Sequence, residues 1–205
     1  MNDKSHLILA SASPRRRELL SRMGFDYEIQ VADVDERQIL LNIQNELHYE
    51  DCFSLADAST KALALHKAEA VFLSYPDAIV IGADTIVATP TRILGKPENS
   101  EDAIQMLREL SGMTHRVYTG VSIQSRYGKE TFSTCAEVTF HPLDATQEAL
   151  ILAYVKSGSP LDKAGAYGIQ DMGGLLIESI KGDYYTIVGF PMATVYRELI
   201  KVMNR

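Results

Sequence analysis

The sequence contains few cysteines, no long apolar run and no export signal. Its two cysteines, Cys52 and Cys135, show neither Cys-x-x-Cys spacing nor a histidine at metal-ligand spacing, a pattern typical of reduced thiols inside cells. No apolar segment reaches membrane-spanning length, and the N-terminal one is too short for a signal peptide. We therefore expect a cytoplasmic protein that does not bind membranes.

Several common active-site motifs are also missing. The chain has no G-x-x-x-x-G-K-[ST], G-x-G-x-x-G, G-x-S-x-G or H-E-x-x-H, and its five histidines are scattered singly. These absences argue against serine hydrolase and zinc chemistry. The net charge of −7 disfavours a nucleic-acid binder, because such proteins usually carry a basic balance or a broad basic face.

The apolar patterns that are present predict an α/β fold. Residues 78–81 are apolar on both faces, which indicates a strand covered by helices on each side. We expect this strand to break at Gly82-Ala83-Asp84, so that Asp84 directly follows it, and a strand to resume at residues 85–87. The length of 205 residues, with no linker or repeat, favours a single domain over residues 1–205 with a cleft between two halves.

Periodicity predicts the other elements. The predicted strands are residues 7–10, 27–31, 115–125, 130–140 and 175–180, with a hairpin at 126–129 that could form the core of the second half. The predicted helices are residues 14–23, 37–47, 57–73, 100–110, 146–156 and 191–203. The polar, Gly-rich segment 161–170 is typical of a functional loop.

The first predicted helix has an unusual basic start. Ser13 suits the N-cap, Pro14 the first helical position and Gly24 the position after the last turn. Residues 15–17 are all arginine, where the helix dipole would favour acidic side chains. A bound phosphate would be favourable there, since free backbone N–H groups and guanidinium groups both suit its oxygens. On local sequence alone, a solvated basic turn is as good an interpretation of this segment as an anion-binding site.

Further charged residues lie at predicted strand ends and turns. They are Asp84, Lys96, Asp162 and Lys163, and Lys67 on the predicted helix 57–73 joins them. Each alone also fits a turn residue or a surface charge. Together they would supply phosphate-binding cations and carboxylates that bind metal or activate water, which hydrolysis of a phosphate ester or anhydride requires.

Five segments, in order along nearly the whole chain, resemble the Maf family of nucleoside triphosphate pyrophosphatases. They are S-x-S-P-R-R-x-E-L-L at 11–20, G-A-D-T at 82–85, G-K-P at 95–97, H-x-V-x-T-G at 115–120 and D-K-A-G-A-Y-G-I-Q at 162–170. The resemblance implies a twisted mixed β-sheet with flanking helices, in two lobes around a central cleft, related to the inosine triphosphate pyrophosphatases. It also implies Mg²⁺- or Mn²⁺-dependent cleavage of a nucleotide to the monophosphate and pyrophosphate, and a homodimer.

The same resemblance implies roles for individual residues. It implies catalytic roles for Asp84, as general base, and for Glu36 and Lys67, with Lys61 as an alternative to Lys67. It implies that Glu36 and Asp84 bind the metal. It implies that the substrate is bound by Ser11, Arg15, Arg16, Lys96, Lys163 and Gln170. Gly168-Ile169-Gln170 resembles the subgroup that acts on dTTP and UTP, including modified pyrimidine nucleotides in a housecleaning role.

Two other functions stay open at this stage. A non-catalytic nucleotide-binding regulator of cell division would keep the arginines but has no need for both Glu36 and Asp84. Single-stranded nucleic-acid binding is disfavoured, because no aromatic residues are interleaved with the arginines.

Overall fold

The computed structural model describes residues 6–46, 49 and 51–205, and in this part of the chain one mixed sheet is flanked by α-helices. The strands are β1 Leu7–Leu9, β2 Glu28–Ile29, β3 Ile79–Ala88, β4 Ile93–Leu94, β5 Thr114–Ser125, β6 Gly128–Phe140 and β7 Ile177–Lys181. The helices are α1 Pro14–Arg22, α2 Glu36–Glu46, α3 Cys52–Phe72, α4 Ser100–Leu110, α5 Ala145–Lys156, α6 Tyr184–Val188 and α7 Met192–Met203.

The sheet has the order β2-β1-β3-β5-β6-β7, and β4 pairs with β3. Strand β1 runs parallel to β2 and β3, whereas the remaining pairs are antiparallel. The predicted β5–β6 hairpin is present and pairs within this one sheet. The predicted α/β class with a mixed sheet is confirmed.

The predicted break at residues 82–84 is wrong, because β3 runs without interruption through this segment. Strand β5 pairs with β3 from Val80 to Ala88, and Asp84 lies opposite Gly120. Asp84 therefore lies within a central strand rather than after one. The Gly-Ala-Asp sequence suggested a turn, but cross-strand pairing along a long neighbour overrides local propensity.

Helix α1 has the predicted ends. The Ser13 side chain accepts a hydrogen bond from the Arg16 backbone N–H, and Gly24 follows the helix with a φ of +81°. Glycine is favoured there because a left-handed backbone strains any residue with a Cβ atom. The sequence therefore correctly placed the basic first turn at the end of β1.

Other boundaries differ from the prediction. Helix α3 begins at Cys52 instead of residue 57, because the Asp51 side chain caps it by accepting from the Ser54 N–H. Helix α2 covers Glu36–Glu46, and the predicted last residue, Leu47, lies outside the described residues. Of the strand predicted at 27–31, only Glu28–Ile29 (β2) is paired. The strand predicted at 175–180 begins two residues later, at Ile177, because a short 3-10 helix covers Met172–Leu176.

Helix α3 approaches the sheet unusually closely at two glycines. A Cβ atom on Gly82 would lie 2.2 Å from the Ala64 carbonyl oxygen, and one on Gly120 would lie 2.2 Å from the Thr60 carbonyl oxygen. No side chain therefore fits between the helix backbone and these strands. This packing fixes the height of α3 above the sheet.

Two large apolar clusters lie on the same face of the sheet, towards opposite ends of β3 and β5, because both use odd-numbered residues of these strands. One joins β1, α1 and α7, and includes Leu9, Leu19 and Phe190. The other joins α4, α5 and β6, and includes Leu107 and Phe140. Within residues 6–46, 49 and 51–205, no helix has both the length and the apolar character that a membrane span requires.

Candidate active site

A cavity of about 680 Å³ lies beside the central strand β3. Its walls come from the β1–α1 turn, the start of α2, α3, β3, the turn after β4, and residues 162–171, which we call the cavity loop. Every predicted site residue lines it, namely Ser11, Arg15, Arg16, Glu36, Lys67, Asp84, Lys96, Lys163 and Gln170. Folding therefore brings together residues that lie up to 159 positions apart in the sequence, as the numbers of Ser11 and Gln170 give.

Three charged side chains converge at the centre of the cavity. The Lys67 Nζ lies 2.6 Å from Asp84 Oδ1 and 2.6 Å from Glu36 Oε1. The Lys67 and Asp84 side chains are 13% and 14% exposed, whereas Glu36 is 55% exposed. Lys61 instead pairs with Asp57 one turn away and does not line the cavity. The lysine that faces the carboxylates is therefore Lys67.

The position of Lys67 follows from the glycine contact between α3 and β3. Gly82 lies two residues before Asp84 on β3, and a Cβ on Gly82 would also contact Ala68, the residue after Lys67. The helix backbone therefore passes directly over the strand that carries the carboxylate. This short spacing allows the Lys67 ammonium to reach Asp84.

The two carboxylates suit a hard divalent cation that arrives with a phosphate ligand. Mg²⁺ prefers oxygen ligands and is commonly held by one or two carboxylates together with substrate phosphates. In the described part of the chain, no group of three or more His, Cys, Asp or Glu side chains could hold a metal ion without such help. Glu36 and Asp84 are the two carboxylates beside the Lys67 ammonium whose oxygens are of the type that such an ion prefers.

Arg16 binds mainly to other parts of the protein. Its Nε donates to the Gly189 carbonyl at 3.0 Å, its Nη2 to Thr85 Oγ1 at 3.1 Å and its Nη1 to Ser11 Oγ at 3.3 Å. Burial lowers the pKa of Arg16, and the nearby Asp84 carboxylate opposes this effect. Arg16 thus ties the start of α1 to β3 and to the α6–α7 connection, a role that the sequence did not reveal.

The remaining cations are Arg15, beside Arg16 on α1, and Lys96 and Lys163 on other walls of the cavity. Lys163 is buried, and its Nζ donates to the Ser159 carbonyl oxygen and to Asp162 Oδ1, the latter at 2.7 Å. Arg15 Nη1 lies 4.0 Å from Asp162 Oδ2 across the cavity. Lys96 is exposed at the cavity. Arg15 and Lys96 are thus the cations most accessible to an incoming anion.

The cavity loop is held by residues that sequence reasoning missed. Asp171 accepts hydrogen bonds from Tyr154 Oη and Ser159 Oγ, each at 2.8 Å. Asp171 could have been noticed because it directly follows Gln170 in a Gly-rich loop. Tyr154 lies in the middle of a helix and offered no such signal.

A buried histidine holds a second point of the same loop. His115 Nε2 lies 2.8 Å from Tyr167 Oη, and both residues pack edge-to-face against Phe140. Burial lowers the pKa of His115 to about 4, so the imidazole is neutral near neutral pH. Its Nδ1 is buried without a hydrogen-bond partner among the described residues. His115 therefore fixes Tyr167 in the wall of the cavity.

Comparison with known proteins assigns the family. Residues 6–202 match the family described as Maf-like protein. A Bacillus cereus (strain G9842) protein named dTTP/UTP pyrophosphatase is 47% identical over 193 residues, which cover 94% of this chain and 93% of that protein. A Bacillus velezensis protein of the same name is 46% identical and covers 94% of each chain. By its sequence match over nearly its whole length, the chain belongs to the Maf-like protein family.

Proposed function

We propose that this protein hydrolyses dTTP and UTP to the nucleoside monophosphate and pyrophosphate. The observation that carries the proposal is the convergence of Lys67, Asp84 and Glu36 in a cavity that Arg15 and Lys96 also line. This arrangement combines carboxylates that can activate water with cations that can bind phosphates. The similarity to relatives named dTTP/UTP pyrophosphatase supports the same activity.

The triphosphate would lie along the β1–α1 turn. Backbone N–H groups at the start of α1 and the guanidinium of Arg15 would bind its oxygens from one side. Lys96 and Lys163 would bind them from the other. These contacts would place the α-phosphorus near the central carboxylates.

Asp84 is the candidate general base. Its carboxylate is largely buried and is oriented by the hydrogen bond from Lys67. In this position it can take a proton from a water that attacks the α-phosphorus, as pyrophosphate leaves. Glu36 and Asp84 would hold Mg²⁺ or Mn²⁺, and the ion when bound would neutralise charge on the phosphate oxygens.

Gln170 is the candidate for recognition of the base. It is exposed at the cavity and lies on the loop that forms the far wall. Its amide can donate and accept a hydrogen bond at once, which matches the O4 and N3–H edge shared by thymine and uracil.

The experiment is pyrophosphate release from a panel of normal and modified nucleotides, with and without Mg²⁺ or Mn²⁺. We expect release from dTTP and UTP that requires the metal ion. The Asp84→Asn variant should fold, bind nucleotide and lose turnover by about 10²-fold or more. Binding without release from any nucleotide would favour a regulator instead. The homodimer and the cytoplasmic location stay predictions.

A further inference from the structure

The segment that carries Gln170 contacts the core at several points, and one of them is the hydroxyl group of Tyr154. Tyr154 lies on α5 and is 1% exposed. Its hydroxyl donates to Asp171 Oδ1 at 2.8 Å and accepts from the Gly168 N–H at 3.0 Å. One hydroxyl group thus binds both flanks of Gln170, from a helix that belongs to the hydrophobic core.

Asp171 extends these contacts to Lys163 of the cavity loop and to residues on either side of that loop. Its Oδ1 also accepts from the Gly173 N–H at 2.9 Å, and its Oδ2 accepts from Ser159 Oγ at 2.8 Å. Lys163 Nζ lies 3.4 Å from the same Oδ2. Burial raises the pKa of Asp171, but these hydrogen bonds and the Lys163 charge outweigh it and lower the pKa overall. The carboxylate is therefore well suited to stay ionised and to hold its donors.

Close packing leaves this segment little freedom. A Cβ atom on Gly173 would lie 2.7 Å from the Gly168 carbonyl oxygen and 3.0 Å from Tyr154 Oη. A Cβ atom on Gly168 would lie 2.8 Å from Lys163 Cε. The backbone around Gln170 is therefore held against the tyrosine hydroxyl on one side and against the lysine stem on the other.

We propose that Tyr154 and Asp171 are positioning residues that set the nucleobase preference by holding Gln170 at the edge of the cavity. This inference rests on the function proposed above. Neither residue needs to touch the nucleotide for this role. Loss of the Tyr154 hydroxyl would remove the partner of the Gly168 N–H and one of the two hydrogen bonds that Asp171 Oδ1 accepts. The segment between them would then sample other positions, and the Gln170 amide would no longer meet the base edge in one orientation.

Tyr154→Phe is the sharpest variant, because it removes the hydroxyl and keeps the ring that packs in the core. UTP and CTP are the appropriate pair of substrates, since they share the ribose and the triphosphate and differ at the base edge. We expect the UTP-to-CTP ratio of kcat/KM to fall about fivefold to tenfold, the loss of one or two hydrogen bonds. The KM for UTP should rise more than kcat falls.

A matched control is Tyr127→Phe. That hydroxyl accepts a hydrogen bond from Arg126 at the β5–β6 turn, outside the cavity residues. Its removal should leave the UTP-to-CTP ratio unchanged. An equal loss of activity toward both nucleotides in Tyr154→Phe would indicate a role in stability alone and would overturn the proposal.

Asp171→Asn tests whether the two residues act as one unit. It keeps an acceptor for Tyr154 but removes the charge near Lys163. If the residues act together, the double variant with Tyr154→Phe should have nearly the same ratio as the more affected single variant. Fully additive effects on the ratio would overturn a joint role.

Two measurements separate this proposal from the proposed function. Dissociation constants for UTP and CTP without divalent metal ions give the base preference independently of turnover. Hydrogen exchange of residues 168–171 should rise in Tyr154→Phe and stay unchanged in Tyr127→Phe. Absence of turnover in the unsubstituted protein would overturn the proposed function, while these data would still decide the role of Tyr154. Equal affinity for UTP and CTP in the unsubstituted protein, or unchanged exchange, would overturn the inference.

Discussion

Lys67 and Asp84 form the central ion pair of the cavity, with Nζ and Oδ1 2.6 Å apart and both side chains largely buried. The second carboxylate near this ammonium, Glu36, is the first residue of α2 and is more exposed. A buried strand, a helix packed over it and a helix start thus each supply one charged group. The arrangement makes the ammonium the direct neighbour of both proposed catalytic carboxylates.

Replacement of Lys67 by Met should abolish most turnover, because Asp84 would lose the hydrogen bond that orients it. We expect kcat to fall by about 10²-fold, as for removal of one positioned catalytic group. Lys61→Met is the matched control, since Lys61 pairs only with Asp57 at the surface in the described contacts. Steady-state pyrophosphate release measures both. Greater loss in the Lys61 variant would reverse the assignment.

Replacement of Gln170 by Glu should change the ranking of nucleotides more than the affinity for phosphate. A carboxylate only accepts hydrogen bonds, so it would lose the donor to O4 of uracil and gain an acceptor for the cytosine amino group. We expect the UTP-to-CTP ratio of kcat/KM to fall. Inhibition by inorganic tripolyphosphate, which has no base, is the control and should be unchanged. A uniform loss with all nucleotides would contradict base recognition.

Arg16→Lys should destabilise the protein although it keeps the positive charge. Lysine cannot reproduce the fork that binds the Gly189 carbonyl, Thr85 and Ser11 together. We expect a loss of about 2 kcal/mol in the free energy of unfolding, the usual contribution of hydrogen bonds to a charged group. Arg17→Lys is the control, with an expected change below about 0.5 kcal/mol. Urea denaturation measures both, and equal stabilities would refute the structural role of Arg16.

Gly82→Ala should push α3 away from β3. The added Cβ would lie 2.2 Å from a backbone oxygen, which no side-chain movement can relieve. We expect a loss of about 3 kcal/mol or more in the free energy of unfolding. In Gly95→Ala the Cβ meets no atom within 4 Å, and the stability should change by less than about 1 kcal/mol. Similar stabilities of the two variants would contradict the close packing.

The stability should depend on His115 at acidic pH. Its pKa is lowered by burial from 6.5 to about 4, so between these values the unfolded chain binds a proton that the folded protein does not. Folding stability contributed by this neutral histidine is therefore complete above about pH 6.5 and is lost as the pH falls toward 4. The slope is at most about 1.4 kcal/mol per pH unit.

The matching variant for this pH dependence is His115→Gln, which removes the titrating group and keeps a polar partner for Tyr167. Its free energy of unfolding should fall less steeply over the same pH range. The difference between the two slopes gives the contribution of His115 alone, because carboxylates that titrate in the same pH range contribute equally to both proteins. Parallel curves would show that the imidazole is protonated in the folded protein.

Local sequence signals predicted the helices and strands whose ends require particular residue types. Ser13 and Gly24 marked α1 because capping and a positive φ restrict the residue types at those positions. The two long predicted strands at 115–125 and 130–140, joined by only four residues, marked the hairpin. The break predicted at residues 82–84 was wrong, because the strand continues there through its pairing with β5, which lies far along the chain.

The chemical character of the cavity was already present in the amino-acid types. Residue identities and their order in five short segments indicated a phosphate-hydrolysing site, its family resemblance and the residues that now line one cavity. What those identities could not provide was the partner of each group. The choice of Lys67 over Lys61, the protein acceptors of Arg16 and the attachment of the cavity loop to Tyr154 depend on distances between remote segments. These distances follow from the packing of the α3 backbone against Gly82 and Gly120 and from the packing of α5 into the core. Only the packed structure could therefore define them.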